Sequence, residues 1–324
     1  MNKTIERVGG SAASADTAPL VSVVIPAFNA QAHLEECLTS VRAQASEVDL
    51  EIIVVDDGSI DCTPAIARQH PDVRYLRQAN RGPSAARNVG IAAARGEFVA
   101  FLDADDLWPS GKLAGQIRIL QQHPELALVF GDSRQFDAHA PFARTEFEAN
   151  HLGAAAWGPG PAVPDAYSRL LDVNFITTGS VVVRRATLDE VGGFAEDLRL
   201  VEDLDLWLRI ARRRAIAWCD HECLLRRRHT TNISGDAEAM GLAYLEVLRR
   251  HRITWLAVEI ASMRLDSAPL VSKSYLYLAE LAIAQGQPKR ALRYAWRSLS
   301  SWPRPQTLWR MTKSTIKLMV RRHA

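Results

Sequence analysis

Three carboxylates within four positions, Asp103, Asp105 and Asp106, follow directly on the apolar run Phe98-Val-Ala-Phe-Leu102. A buried parallel strand delivers a charged loop to the edge of a sheet in this way. Holding such acids together costs roughly a kcal/mol per close pair even in well-solvated surroundings. A hard divalent cation such as Mg²⁺ would offset that cost, because it takes carboxylate oxygens together with substrate phosphates. Asp105 or Asp106 would equally serve as the cap of a helix starting near Pro109. On this stretch alone both readings stand. Glu202-Asp203 stands at the head of the helical run Leu204 to Ala211, where the macrodipole favours carboxylates and capping is again the plain reading. His229, after Arg226-Arg227-Arg228, would ordinarily be a satisfied loop histidine. Cys219, His221 and Cys223 gather two thiols and an imidazole in five residues, a cramped ligand set for zinc with no second pair nearby.

The elements that must position these groups can be read from periodicity. Val21 to Pro26 is a β-branched run stopped by proline, and Ala30 to Ala43 carries apolar residues at helical spacing. The pattern repeats: strands at Glu51 to Val55, Val73 to Arg77, Glu97 to Leu102 and Ala127 to Phe130 alternate with helices at Asp61 to Gln69, Gly82 to Arg95 and Lys112 to Gln122. Such alternation specifies an α/β domain with a largely parallel sheet covered on both faces. Asn29, Asp57, Asn80, Arg81, Asp103 and Asp105 all follow strands, so they converge on the crevice outside the strand carboxyl ends. Ser133 to Pro164 has no period and reads as one long loop able to lie over that crevice. Ile176 to Val183 returns to strand-like composition, and Ile216 to Cys219 with Cys223 to Leu225 could pair as two short strands. After Gly235 the chain reads as helical, with a tetratricopeptide-like hairpin from Tyr275 to Leu299. The expected divisions are a disordered leader at 1–19, an α/β domain at 20–235 and a helical region at 236–324.

Composition narrows the class. In 324 residues, 48% hydrophobic and 23% charged, there is material for one large domain with an appendage. A net charge of +2 gives no reason to expect a nucleic-acid partner. From Leu281 to Ala324, however, ten Lys and Arg stand against no Asp or Glu. Thr307 to Arg322 interleaves those charges with Leu308, Trp309, Met311, Ile316 and Leu318, which suits lying on an anionic bilayer or packing on the hairpin with a solvated basic face. Four cysteines without a disulfide framework, and no secretory signal, fit a cytoplasmic location, peripheral at most on the inner membrane face.

Five motifs in order and spacing, Val21-Ser-Val-Val-Ile-Pro-Ala-Phe-Asn29, Val54-Val-Asp-Asp-Gly-Ser59, Asn80-Arg-Gly-Pro-Ser-Ala-Ala-Arg-Asn-Val-Gly90, Phe101-Leu-Asp-Ala-Asp-Asp106 and Glu202-Asp-Leu-Asp-Leu-Trp-Leu-Arg209, resemble the family 2 glycosyltransferases. The resemblance covers Val21 to Ser234. It implies the GT-A fold, a Rossmann-like, mostly parallel sheet with helices on both faces, here followed by a small α-helical C-terminal region. It implies inverting transfer of a sugar from a nucleoside-diphosphate-sugar, a UDP-sugar as the commonest donor, to a hydroxyl of a carbohydrate or glycolipid in surface polysaccharide assembly. By the same resemblance Pro26, Ala27, Asn29, Asp57, Arg81 and Asp103 border the nucleotide. Asp105 and His229 hold Mg²⁺ or Mn²⁺, Asp203 is the general base, and Glu202 and Trp207 lie on the acceptor side. Each role suits its residue: a divalent ion neutralises a departing diphosphate, and an aspartate takes a hydroxyl proton as that hydroxyl attacks. Arg87 and Asn88 read first as helix and packing residues.

Two departures concern the acceptor side. Ala195 then Glu196 follow Gly-Gly-Phe where the family often has an acid at once, and the Ser133 to Pro164 stretch is outside the shared pattern. Two other function classes are weighed against transfer. A nucleotidyltransferase would want a Gly-rich basic loop after the first strand, and Pro26-Ala27-Phe28-Asn29 offers neither Gly nor Lys. A non-catalytic binding protein would have no evident use for Asp57, Asp103, Asp105 and Asp203 together.

Overall fold

The computed structural model describes residues 6–7, 20–138, 140–229, 236–258 and 268–302. The chain divides into two compact units, Met1–Thr230 and Thr231–Ala324. In the first, strands β1 (Glu6–Arg7), β2 (Val21–Ala27), β3 (Leu50–Asp56), β4 (Val73–Arg77), β5 (Phe98–Phe101), β6 (Leu126–Phe136), β7 (Pro141–Thr145), β8 (Val182–Arg184) and β9 (Ala215–Arg227) form one sheet. Its order is β1-β4-β3-β2-β5-β8-β6-β7, with β9 paired to β6. Between the strands run α1 (Leu34–Arg42), α2 (Thr63–Arg68), α3 (Pro83–Ala93), α4 (Lys112–Gln122), α5 (Glu146–Asn150), α6 (Ala154–Trp157), α7 (Ala166–Asp172), α8 (Arg185–Val191) and α9 (Glu202–Ala211).

Every residue of β2 is buried, as a strand covered on both faces requires. Alternation within β3 divides the core. Ile52 and Val54 join Leu34, Leu38 and Val41 of α1 and Leu113, Ile117 and Leu120 of α4 on one face, while Ile53 and Val55 meet Leu76 and Ala86 on the other. On that second face Gly90 lets α3 press onto β2: a Cβ there would stand 2.2 Å from Val24 Cγ1. The pairs β2–β3, β3–β4 and β2–β5 are parallel. Their carboxyl ends therefore open on one edge.

The sheet is more mixed than the α/β alternation alone implies. Strand β8 runs antiparallel to both β5 and β6 and is the bridge between them. Ser133 to Pro164 is not one loop: β6 continues to Phe136, β7 pairs antiparallel to it, and α5 and α6 follow. A capping box between Thr145 and Glu148 starts α5. Phe147 and Trp157 then pack edge-on at 5.3 Å in a cluster with Phe130 and Trp218, a long-range contact that local periodicity does not report. Ile216 to Cys219 and Cys223 to Leu225 do not pair with each other. Both belong to β9, which runs parallel to β6 with register shifts, since Asp220 and His221 loop out as a bulge between Cys219 and Glu222 rather than forming a hairpin turn. Ile176 to Val183 resolves into a 3₁₀ turn at Thr178–Ser180 ahead of β8.

In the second unit, α10 (Ala237–Val258), α11 (Ala268–Ala284) and α12 (Pro288–Ser301) pack around Leu278, Ala279, Ala282, Ala291 and Tyr294. The hairpin of α11 and α12 turns at Gly286, whose φ of 70° favours glycine. Ser272 and Ser298 join the two helices by a buried hydrogen bond of 2.9 Å. Tyr294 donates to Glu238 of α10 at 2.6 Å, so a third helix completes the hairpin's packing. No described helix is long and apolar enough to cross a membrane. Apart from Glu6–Arg7, which pairs antiparallel with β4, the leader of 1–19 lies outside the described residues, as does the basic tail Thr307 to Arg322.

Candidate functional site

Strand β2 delivers Pro26 and Ala27, both buried, to the open edge. Its pairing with β5 ends at Val24 opposite Phe101, and Leu102 donates back to Val24 O at 3.1 Å. Pro26 lies two residues on, facing the side where β5 has ended, so its missing N–H breaks no ladder bond. Asn29 follows at φ 49°, a conformation that asparagine tolerates. It receives the Ile60 N–H on Oδ1 at 3.0 Å and donates its own N–H to Ser59 Oγ at 2.9 Å, tying the loop after β2 to the turn after β3.

That turn is built by its two aspartates. Asp56 accepts from Ser59 N at 2.8 Å and from Tyr75 Oη at 2.6 Å. Asp57 is 4% exposed, and its Oδ1 accepts from Gln78 Nε2 at 2.7 Å and Arg81 N at 2.9 Å, while Oδ2 accepts only from Gly82 N at 2.8 Å. Oδ2 thus keeps one acceptor direction among the described residues. The Arg81 guanidinium pairs with Glu196, which also accepts from Asn88 Nδ2 at 3.2 Å. The acid one place beyond Gly-Gly-Phe-Ala195 therefore reaches this site's rim.

After β5 the three acids part company. Asp103 accepts from Arg87 Nη2 at 2.7 Å. Asp105 Oδ2 lies 2.8 Å from His229 Nε2, each side chain being 30% exposed. Asp106 is buried and accepts the Arg227 N–H at 2.8 Å. Burial first, then the neighbouring Asp105 and Asp103, push the Asp106 carboxyl well above the usual carboxylate range. None of the three caps a helix: α4 begins only at Lys112, behind Gly111 and with no side-chain cap. The capping expectation for Asp106 fails because the long-range partner Arg227 claims it.

Arg87 is the residue that periodicity hid. Only 5% of its side chain is exposed, and it joins Asp103 to Glu202 Oε1 at 2.8 Å while lying over the Phe194 ring at 5.2 Å. It thereby brings the head of α9 to the acidic turn. Val201, just before that helix, holds φ 60°, a strained conformation for a β-branched residue. Asp203 accepts from Asn174 Nδ2 at 3.3 Å and Thr178 Oγ1 at 3.4 Å. Burial, then the adjacent Glu202, push its carboxyl up to about 6. Glu202 itself is taken up by Arg87. Trp207 is wholly buried, edge-on to Phe194 at 6.2 Å, and presents no surface at the rim.

Around His229 the structure adds side chains that the motifs do not include. The His33 ring stacks on it with centroids 6.0 Å apart. Burial, then the Arg227 guanidinium, hold the His33 imidazole below its ordinary value. Arg227 donates to Asp105 O at 2.8 Å and to Glu36 at 2.6 Å, over the face of Phe136. Position at the carboxyl end of a strand is a usable signal for Arg227; His33 and Glu36 arrive from the start of α1 with no local sign. One edge therefore holds a carboxylate–imidazole pair able to ligate a divalent cation, an aspartate with an open acceptor, and a second aspartate shifted toward neutral pH.

Comparison with known proteins agrees with this architecture. The chain is 28% identical over 290 residues to an uncharacterized glycosyltransferase of Rickettsia typhi, covering 84% of this chain and 86% of that one. It is 29% identical over 264 residues to the putative teichuronic acid biosynthesis glycosyltransferase TuaG of Bacillus subtilis, covering 75% and 95%. Among solved structures, S. aureus TarS 1-349 in complex with UDP-GlcNAc superposes with a TM-score of 0.57 at 19% identity over 87% and 89% of the chains. The mannosyltransferase PcManGT of Pyrobaculum calidifontis, in complex with GDP-Man and Mn²⁺, gives 0.55 at 20% identity over 94% and 81%. At such identities these two speak for the fold, which is GT-A. The profile of glycosyl transferase family 2 matches residues 22–192, more than half of the sequence, and the chain belongs to that family.

Proposed function

We propose that this glycosyltransferase moves a sugar from a nucleoside-diphosphate-sugar, a UDP-sugar first among candidates, to a hydroxyl of a carbohydrate or glycolipid acceptor with inversion at the anomeric carbon. The observation that carries the reading is the meeting of Asp57, Asp103, Asp105 and His229 at one sheet edge, with Asp203 joined to them through Arg87 and Glu202. In this reading Asp57 Oδ2 accepts a ring N–H of the nucleobase beside Pro26, Ala27 and Asn29. Arg81 lies along the nucleotide, and Asp103 faces the ribose. Asp105 and His229 would hold Mg²⁺ or Mn²⁺, and their 2.8 Å separation, half-open exposure and oxygen-plus-nitrogen donor set fit such an ion. The ion's chemistry is neutralisation of the departing diphosphate. Asp203 takes the acceptor's proton as its oxygen bonds to the anomeric carbon and the bond to the diphosphate oxygen breaks. A carboxyl near 6 is ionised at neutral pH yet more basic than a free aspartate, as a general base needs to be.

The donors and metal bound to TarS and PcManGT, and the polymer named for the Bacillus relative, support nucleotide-sugar chemistry and envelope polysaccharide as the setting. We assign the tail Thr307 to Arg322 to peripheral contact with an anionic membrane on its cytoplasmic side. Calorimetric titration with UDP and GDP, with and without Mn²⁺, tests the core of the reading. Asp105→Ala is expected to lose both metal-dependent nucleotide binding and turnover. Asp203→Ala is expected to bind nucleotide normally and lose turnover. Full turnover in either variant removes that residue from its role.

A further inference from the structure

The bulge in β9 does more than interrupt a ladder. In an unbroken strand residues 219 and 223 would stand about 13 Å apart, too far for their side chains to share a ligand. Here Cys219 is opposite Gly131 while Glu222 is opposite the next residue, Asp132, so the extra chain loops out and folds back. The Cys219 and Cys223 sulfurs come to 3.4 Å, and with a His221 ring nitrogen the three atoms lie within 4.8 Å of one another. Tetrahedral zinc, with bonds of about 2.3 Å to sulfur and 2.0 Å to nitrogen, wants its ligand atoms about 3.5–3.8 Å apart.

Two glycines make room for the cluster. A Cβ on Gly131 would stand 2.2 Å from Cys223 Sγ and 2.9 Å from Cys219 Sγ. On Gly115 of α4 it would meet the His221 ring at 2.8 Å. Both thiols are buried, while His221 is exposed and leaves one side open to solvent. Lys112 of α4 is fully buried; burial draws its ammonium down to about 7, and Cys223 and then Cys219 oppose that shift. The spacing that looks cramped along an extended chain is thus relieved by the bulge.

We propose that Cys219, His221 and Cys223 form a second metal centre, separate from the Asp105–His229 pair, that takes one Zn²⁺ with a water in the fourth position. Two thiolates and an imidazole select zinc over the hard ions suited to Asp105. Bound there, zinc fixes the bulge from which β9 runs on to Arg227, and so steadies the strand that leads to His229. The centre is structural, and it stands whether or not the sugar-transfer assignments hold.

The test uses the full chain, reduced and stripped of metal, in excess Mg²⁺ to occupy hard-ligand sites. Titration with Co²⁺ should give thiolate-to-cobalt charge-transfer absorption saturating at one equivalent, displaced by one equivalent of Zn²⁺, and Zn²⁺ should raise the melting midpoint. Cys219→Ser and Cys223→Ser should abolish the band, while Cys62→Ser leaves it intact. His221→Ala, on the exposed side where folding is not at stake, should weaken the site by more than about tenfold without changing transfer under saturating Mg²⁺ or Mn²⁺. Absence of the band in the reduced wild type, or equal affinity in His221→Ala, overturns the assignment. A Cys219–Cys223 disulfide whose reduced form takes no cobalt overturns it too, in favour of a redox pair.

Discussion

Asp203 keeps its charge under duress. Its carboxyl titrates near 6 in the fold against an ordinary 3.8, because burial and Glu202 oppose ionisation. Between those values the native state binds more protons than the unfolded chain, so this group's contribution to stability declines as pH rises through the window. Above about pH 6 the full cost of the charge is borne by the fold, as strained functional sites commonly require. Asp203→Asn should therefore melt no lower than the wild type at neutral pH, with the two midpoints converging toward about pH 4. The same variant should lose about 10²–10⁴-fold in turnover. In the wild type, turnover should fall close to tenfold per pH unit below about 6 and level off above it. A profile flat down to pH 5, or a variant that melts well below wild type at neutral pH, would show that Asp203 is a structural anchor and not a base.

At the scale of elements, Arg87 and Gly90 make α3 the connector between sheet and site. Arg87→Met removes the bridge from Asp103 to Glu202 and leaves the part-buried Glu202 carboxylate unpaired, a loss of roughly 2–3 kcal/mol, below the roughly 3–5 kcal/mol of a fully buried pair because Asp103 is solvent-screened. Urea unfolding reads it directly, and a loss under about 1 kcal/mol would mean the two acids find water instead. Gly90→Ala drives a methyl into Val24 and should cost about 1–3 kcal/mol, much of it returned when Val24→Ala is added. Neither residue's importance is local. Arg87 reads as one polar residue in an alanine-rich helix because its partners are 16 and 115 positions away. What periodicity could report, it did: β4 and α4 run from Val73 to Arg77 and from Lys112 to Gln122, as the apolar spacing predicts. Convergence of Asp57, Asp103 and Asp105 followed from strand ends alone. Strand β7 and helix α5 carry no local period, and Phe147 of α5 is held by Phe130 and Trp157, rings brought together only by the fold. Of the two uses open to Asp106, the cap is the short-range one and is not realised, because the N–H that it accepts lies 121 residues on.

For the molecule as a whole, the division at Thr230 separates the proposed site residues from the helical region. Every residue assigned to the nucleotide, the metal or the base lies between Pro26 and His229, and its described hydrogen bonds run to Met1–Thr230. The helical unit has its own core around Leu278, Ala282 and Tyr294, and its own buried Ser272–Ser298 bond. A chain ending at Thr230 keeps the sheet, both of its covered faces and the Arg87 bridge. Nucleotide binding should therefore survive the truncation with a Kd within about threefold of the full chain's, less than ~0.7 kcal/mol, and with the same requirement for Mn²⁺. Calorimetry on the two chains side by side makes the comparison, with circular dichroism confirming that the shorter one is folded. A folded 1–230 chain that no longer binds nucleotide would mean that the helical unit completes the donor site, and the boundary drawn from compactness would not be a boundary of function.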